Sequence, residues 1–379
     1  MISGAMRVYY NSISSWKDLD KSTFQSNMLA NFTANTCSKC NGDNKCDNPL
    51  AGNLCEQTKG YNTGITDEVL VYESSEANKE KGNLVSYTTS SVGVIYNMIP
   101  GKVYYWESSQ DSQIHGYVKA QGERRTIKSS VRNVRDLGGM ATSFTRNNAT
   151  KTGTLKYGKL FRGAQLSGGQ TDVNSILKLG VTREIDLRAQ TEGNNPVRLP
   201  KHDKCDGSCS TLTSDQDIII DNYIIYPDNQ YPDLNNPGTY KNCPVVDGKT
   251  CNDNFVTLRQ TMVDVMNYVI NGDNIYFHCT IGTDRTGTIA YFLEGLLGVS
   301  EEDRVEDYEL SYFYGMVNRD RYHDYLSGSS RNPRFTTMYK TYDTNEKIYD
   351  WFMYGLSDEE KADMNTLIEN FRDAMIDYN

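Results

Sequence analysis

No stretch of the sequence approaches the ~18 consecutive apolar residues of a membrane-spanning helix. The longest strongly apolar pieces, Ile218-Ile219-Ile220 and Tyr223–Tyr226, are strand-sized. No membrane span is therefore expected. An excess of positive charge is also missing. The 39 Lys and Arg stand against 49 Asp and Glu, a formal net charge of −10. An acidic chain has no general footprint for nucleic acid or an anionic membrane. Any anion it handles must be captured by a local site that overcomes the global field. No internal repeat and no low-complexity linker interrupts the chain. Histidine is scarce, with four residues. No signal peptide is visible. The opening Met1-Ile2-Ser3-Gly4-Ala5-Met6 reads as an expression remnant, so a native signal is presumed removed.

The composition is globular: 37% hydrophobic, 11% aromatic and 23% charged. At ~100–200 residues per domain, the 379 residues suggest two domains. Residues 1–125 show no long helical period. Short alternating pieces occur at Val69–Tyr72, Leu84–Tyr87, Val92–Met98, Lys102–Trp106 and Gly116–Lys119. Polar and glycine-containing turns separate them, the pattern of a small all-β sandwich. The tyrosines, 27 in the whole chain, fit strand faces of such a domain.

Within this half, Val94 to Trp106 resembles the strand–turn–strand of fibronectin type III-like modules, in which a Leu-x-Pro-Gly turn precedes a Tyr-rich strand. A generic Pro-Gly hairpin is the plainer alternative.

From about residue 126 to 379, strands and helices alternate, which argues for an α/β domain. Helices are expected over Asp172–Leu179, Phe255–Ile270, Arg285–Leu297, Glu301–Tyr312 and Ser357–Ile376. Ser357 and Glu360 stand in capping-box positions. Strands are expected at Glu184–Leu187, Ile218–Tyr226 and Ile275–Phe277.

The nine cysteines divide unevenly. Cys37, Cys40, Cys46 and Cys55 cluster, as do Cys205 with Cys209 and Cys243 with Cys251. Cys279 stands alone. Local pairs in polar, Gly/Asn/Asp-rich surroundings read as disulfides of an exported protein, with Cys205–Cys209 and Cys243–Cys251 as bonds. Cys37-Ser-Lys-Cys40 would also permit zinc, although Cys46 and Cys55 do not form a second CxxC.

The informative segment is Ile275-Tyr276-Phe277-His278-Cys279-Thr280-Ile281-Gly282-Thr283-Asp284-Arg285-Thr286-Gly287. It lies between an expected strand and an expected helix, and it holds the one cysteine without a near neighbour. Five residues between Cys279 and Arg285 can curl so that their N–H groups converge on one point. The helix beginning at Arg285 adds its positive end there, making a nest for a phosphate dianion. Gly282 permits a backbone that a side chain would obstruct. Arg285 can form two parallel hydrogen bonds to phosphate, which Lys cannot. The same field favours thiolate over thiol at Cys279.

This string resembles the His-Cys-x5-Arg-Ser/Thr signature of the cysteine-dependent protein tyrosine phosphatases. It is closest to a bacterial branch reading His-Cys-x-x-Gly-Lys-Asp-Arg-Thr-Gly. Two more blocks agree in order. Asn133-Val134-Arg135-Asp136-Leu137-Gly138-Gly139 with Gly158-Lys159-Leu160-Phe161-Arg162-Gly163 is the first. Gly180-Val181-Thr182-Arg183-Glu184-Ile185-Asp186-Leu187-Arg188 with Glu192 is the second. Asp307-Tyr308 and Ser311 fit as well. Thr283 departs from the pattern, replacing a Lys that adds charge for multiply phosphorylated substrates.

The resemblance implies a central sheet flanked by helices and a two-step phosphomonoester hydrolysis through a phosphocysteine, with no cofactor and no metal in that site. Cys279 is then the nucleophile. Arg285 and the loop from Thr280 through Ile281, Gly282, Thr283 and Asp284 hold the phosphoryl oxygens. Asp284 is the first candidate for general acid. Asp228, in Tyr226-Pro227-Asp228, is the second, and Asp233 follows. His278 and Thr286 would orient the loop. Arg135, Asp136, Asp186 and Arg188 either touch the site or form buried ion pairs that link loops; Arg162 is read in the same way. The expected substrate is a phosphorylated protein. A phosphoinositide or inositol polyphosphate substrate, and a non-catalytic phosphate-binding module, are the alternatives. The expected location is outside a bacterial cell or on its surface.

Overall fold

A computed structural model of the protein describes residues 61–75, 80–85, 88, 93–120, 127–188, 219–222, 253–311 and 341–379. The chain forms two compact units, Met1–Lys128 and Ser129–Asn379.

The described part of the first unit is built from strands. β1 (Tyr61–Asn62) pairs antiparallel with β3 (Val94–Ile95). A three-stranded antiparallel sheet runs β2 (Val69–Ser74), β4 (Val103–Ser108), β5 (His115–Lys119). The expected piece Leu84–Tyr87 contributes an isolated bridge from Leu84 to Tyr72. Val69, Val71, Ile95, Tyr104 and Trp106 form the core of this unit. The plain hairpin reading of Val94 to Trp106 is corrected. Its two arms do not pair with each other, because β3 joins β1 whereas β4 lies between β2 and β5. The corner is fixed locally: Ile99 N donates to Tyr104 Oη at 2.8 Å, and Gly101 takes a φ of 83° in the turn. A bond from a strand tyrosine back to the preceding corner ties a chain that changes sheets.

The second unit is organised on a five-stranded sheet in the order β11 (Ile219–Asn222), β10 (Arg183–Asp186), β12 (Ile275–His278), β9 (Leu160–Gly163), β6 (Arg135–Asp136). The first four are parallel and β6 runs antiparallel to β9. Every residue of β9, β10 and β12 is buried, as expected of parallel strands covered on both faces. Side chains alternate along β12. Ile275 and Phe277 enter a core with Leu160, Ile185 and Met266. Tyr276 and His278 take the opposite face, in register with Glu184 and Asp186 of β10.

The helices described are α1 (Gln170–Leu177), α2 (Asp253–Ile270), α3 (Asp284–Leu296), α4 (Glu301–Glu309), α5 (Asn345–Met353) and α6 (Asp358–Met375). Both capping-box bonds of Ser357 and Glu360 open α6. α1 begins two residues before the expected Asp172, after Gly169. The expected helix to Ile376 stops at Met375, and β13 (Ile376–Tyr378) instead pairs with β8 (Ala149–Leu155). β8 also pairs with β7 (Ala141–Arg146) through Asn147-Asn148, whose φ angles of 52° and 59° suit a tight two-residue turn.

Candidate active site

The loop from Cys279 to Arg285 joins the C-terminal end of β12 to the N-terminus of α3. Ligands of parallel α/β sheets bind at this edge. Cys279 is a free thiol at 2% exposure, on the floor of the loop and against the core. Gly282 has a φ of 73°, and a Cβ there would stand 2.3 Å from the Gly163 carbonyl oxygen. Only glycine lets the loop lie that close to the end of β9.

The carbonyls of the loop are held from behind. Asn133 Nδ2 donates to the oxygens of Ile281 at 3.1 Å and Gly282 at 3.0 Å. Arg162 Nη2 donates to the Gly282 oxygen at 2.9 Å and the Thr283 oxygen at 3.4 Å. In a trans peptide the following N–H points opposite to the carbonyl. Tethering these oxygens therefore turns the N–H groups of Gly282, Thr283 and Asp284 to the other side. No side chain caps α3: Thr283, its N-cap residue, accepts no bond from the first turn. Its hydroxyl instead receives Asn133 Nδ2 at 3.5 Å, and the residue is fully buried. An uncapped helix start and inward N–H groups together make an anion site.

Arg285 is 5% exposed. Its Nη1 reaches the Leu187 oxygen at 3.3 Å and its Nη2 the Thr280 hydroxyl at 3.4 Å. Thr280 is tied by its own carbonyl, which accepts from Gln165 N at 3.3 Å. Asp284 is half-buried, and Tyr308 Oη donates to its Oδ1 at 3.1 Å. Thr286 is fully buried in the first turn of α3, with a hydroxyl that makes no hydrogen bond.

The remaining sequence candidates have distinct places. Arg135 lies behind the loop. Its Nε donates to Asp307 Oδ1 at 2.8 Å, and it also bonds the Asn133 amide oxygen and, at 3.4 Å, Ser311 Oγ. Arg162 Nη1 bonds the other oxygen of Asp307. Asp186 pairs with Arg188 through both carboxylate oxygens, and Arg188 Nη1 reaches Gln165 Oε1 at 2.6 Å. Asp136 serves the turns beside the sheet: it accepts from Gly138 N and Gly158 N, each at 2.9 Å. His278 is fully buried, with Nε2 2.9 Å from Glu184 Oε1 and Nδ1 3.2 Å from the Cys279 oxygen. Glu184, Asp186 and His278 bring possible metal-ligand atoms within 4.8 Å of one another. The bonds just given already use those atoms. Asp228, Asp233 and Glu192 lie outside the described residues, as do Cys37, Cys40, Cys46, Cys55, Cys205, Cys209, Cys243 and Cys251.

Four supports carried no assigned role in the sequence reading: Asn133, Glu184, Gln165 and Asp307. Asn133 had a weak local signal, because asparagine is among the residues that tolerate the left-handed region, and its φ is 60°. The others act across 90 residues or more of chain, or through a backbone bond, and leave no local trace.

A sequence model of the tyrosine phosphatase family matches residues 128–365, well over half of the chain. The chain belongs to the tyrosine phosphatase family. Membership supports a phosphatase and agrees with the α/β organisation of the second unit. No curated protein gives a match. In this tyrosine phosphatase family member, the matched region contains the complete loop from Cys279 to Arg285 and its supports Asn133, Arg162 and Asp307.

Proposed function

We propose that the protein hydrolyses phosphotyrosine in proteins through a phosphocysteine intermediate. The observation that carries this reading is the free Cys279 beneath a loop whose carbonyls are tethered outward by Asn133 and Arg162. Cys279 attacks phosphorus while the bond to the leaving tyrosine oxygen breaks. Arg285 and the inward N–H groups hold the three equatorial oxygens. Asp284 gives its proton to the leaving oxygen, then takes one from the water that releases phosphate from Cys279. Tyr308 supports that assignment by orienting the Asp284 carboxyl.

Thr283 favours a single phosphate over a polyphosphorylated substrate. Its side chain is buried against Asn133 and places no cation at the mouth. A phosphate-release screen over phosphotyrosine peptides, phosphoinositides and inositol hexakisphosphate tests the reading. The expected result is a kcat/KM on phosphotyrosine peptides at least about tenfold above the others. A preference for either inositol class overturns it.

Asp284→Asn is expected to lower kcat on a phosphotyrosine peptide by roughly 10²-fold or more, the range for a positioned proton donor. Asp228→Asn should stay within about threefold of the unaltered protein on the same grounds. Pre-steady-state kinetics on both variants decide the assignment; an undiminished rate with Asp284→Asn removes it.

The first unit is read as a fibronectin type III-like sandwich. The change of sheet between β3 and β4 and the Tyr104 corner support this.

A further inference from the structure

Glu184 takes no part in the chemistry above, yet its carboxylate lies on a central strand with no solvent exposure. Burying an ionised carboxylate is unfavourable unless it is paired. Parallel pairing of β10 with β12 sets Glu184 beside Tyr276 and Asp186 beside His278. The Glu184 carboxylate reaches the His278 ring, with Oε1 2.9 Å from Nε2. The other ring nitrogen, Nδ1, faces the Cys279 carbonyl oxygen at 3.2 Å and Asp186 Oδ1 at 3.9 Å. The Tyr276 ring stacks on the imidazole, centroids 5.4 Å apart and planes 25° from parallel.

All three oxygens facing the ring nitrogens belong to acceptor groups. A neutral imidazole carries one N–H and can satisfy one side; a doubly protonated ring donates to both. Charged and titratable groups face the ring from several elements. From β10 come Glu184 and Asp186, the latter paired with Arg188. From its own strand and loop come Tyr276 and Cys279, and Asp172 of α1 is felt at Tyr276. Burial, reinforced by Glu184, holds the Tyr276 phenol well above its usual range, so it stays neutral, and its hydroxyl bonds the Ala164 oxygen.

We propose that Glu184 is a positioning residue for the nucleophile. By bonding Nε2 it fixes the orientation of the His278 ring, so that Nδ1 stays against the Cys279 carbonyl and holds the backbone that carries the sulfur. Glu184 never meets the substrate; it acts through His278. Its effect on turnover rests on the phosphatase reading, but its effect on the sulfur does not.

The test uses the full chain and two readouts. One is alkylation of Cys279 by iodoacetate at neutral pH, followed on the Cys279 peptide by mass spectrometry with no substrate present. The other is kcat and KM on p-nitrophenyl phosphate. Glu184→Gln keeps the shape and removes the charge. It is expected to slow alkylation about tenfold and to lower kcat by a similar factor with KM unchanged. In a His278→Asn background, Glu184→Gln should change alkylation by less than about twofold, because the partner it acts through is gone. Alkylation at the unaltered rate in Glu184→Gln overturns the proposal, as does an equal slowing in the His278→Asn background. If Glu184→Gln does not fold, Glu184→Asp withdraws the carboxylate by one methylene and should give an intermediate alkylation rate; an unaltered rate overturns the proposal there too. If alkylation slows as expected while the unaltered protein hydrolyses no phosphomonoester, the phosphatase reading fails and the role of Glu184 stands.

Discussion

Serine in place of Cys279 is expected to lower turnover of p-nitrophenyl phosphate by on the order of 10⁴-fold or more, the scale seen when a covalent nucleophile is removed. In the proposed route a thiolate attacks phosphorus and departs again as a weak base, whereas a serine hydroxyl is un-ionised at neutral pH. The substitution is close to isosteric, so the cup should survive. Asn133 and Arg162 hold the loop through carbonyls of Ile281, Gly282 and Thr283, none of which involves the sulfur. Phosphate binding should therefore persist while hydrolysis stops. Steady-state rates, with KM for substrate and inhibition by inorganic phosphate, read the two effects separately. A Cys279→Ser protein that keeps more than about a hundredth of the activity would remove the covalent route altogether.

Asp307→Ala is the largest expected loss of stability. Asp307 lies on α4, is 5% exposed, and bridges two guanidinium groups that have no exposure at all, Arg135 and Arg162. Removing one partner of a buried ion pair costs about 3–5 kcal/mol, because the charge left behind has lost both its counter-ion and its water. For a unit of this size that corresponds to a fall in Tm on the order of 10 °C. Activity should fall as well. Arg162 spends its second nitrogen on the Gly282 carbonyl, and Arg135 bonds the oxygen of Asn133, whose amide nitrogen holds the same carbonyl. Releasing either arginine frees the loop carbonyls, and with them the N–H groups that the proposed reaction would use. Thermal unfolding and kcat of Asp307→Ala check both parts; a Tm within about 1 °C of the unaltered protein would show that the arginines find other compensation.

The two effects differ in how far they could be foreseen. Cys279, Gly282 and Arg285 sit within seven consecutive residues, flanked by a strand and a helix whose periods are plain. Asn147-Asn148 also carried its turn openly, yet the β7–β8 hairpin was not expected, because the strands around it are polar and only half-buried. Ile376 read as helix by its apolar spacing, and pairing with β8 drew it into a strand. In the first unit, the Pro-Gly corner was evident but its destination was not. Which ladder each arm joins depends on β1, β2 and β5, strands outside the corner itself.

What the order of residues determined alone was the candidate loop: its cysteine, glycine and arginine and the helix start that follows lie within one short segment. Only the folded unit decided which distant carboxylates and amides would stand behind it. Asn133 and Glu184 reach the loop and its histidine across 149 and 94 residues of chain, and Asp307 holds Arg162, which bonds the loop, across 145. A buried charge is tolerable only opposite its partner, and that opposition exists in three dimensions and not along the chain.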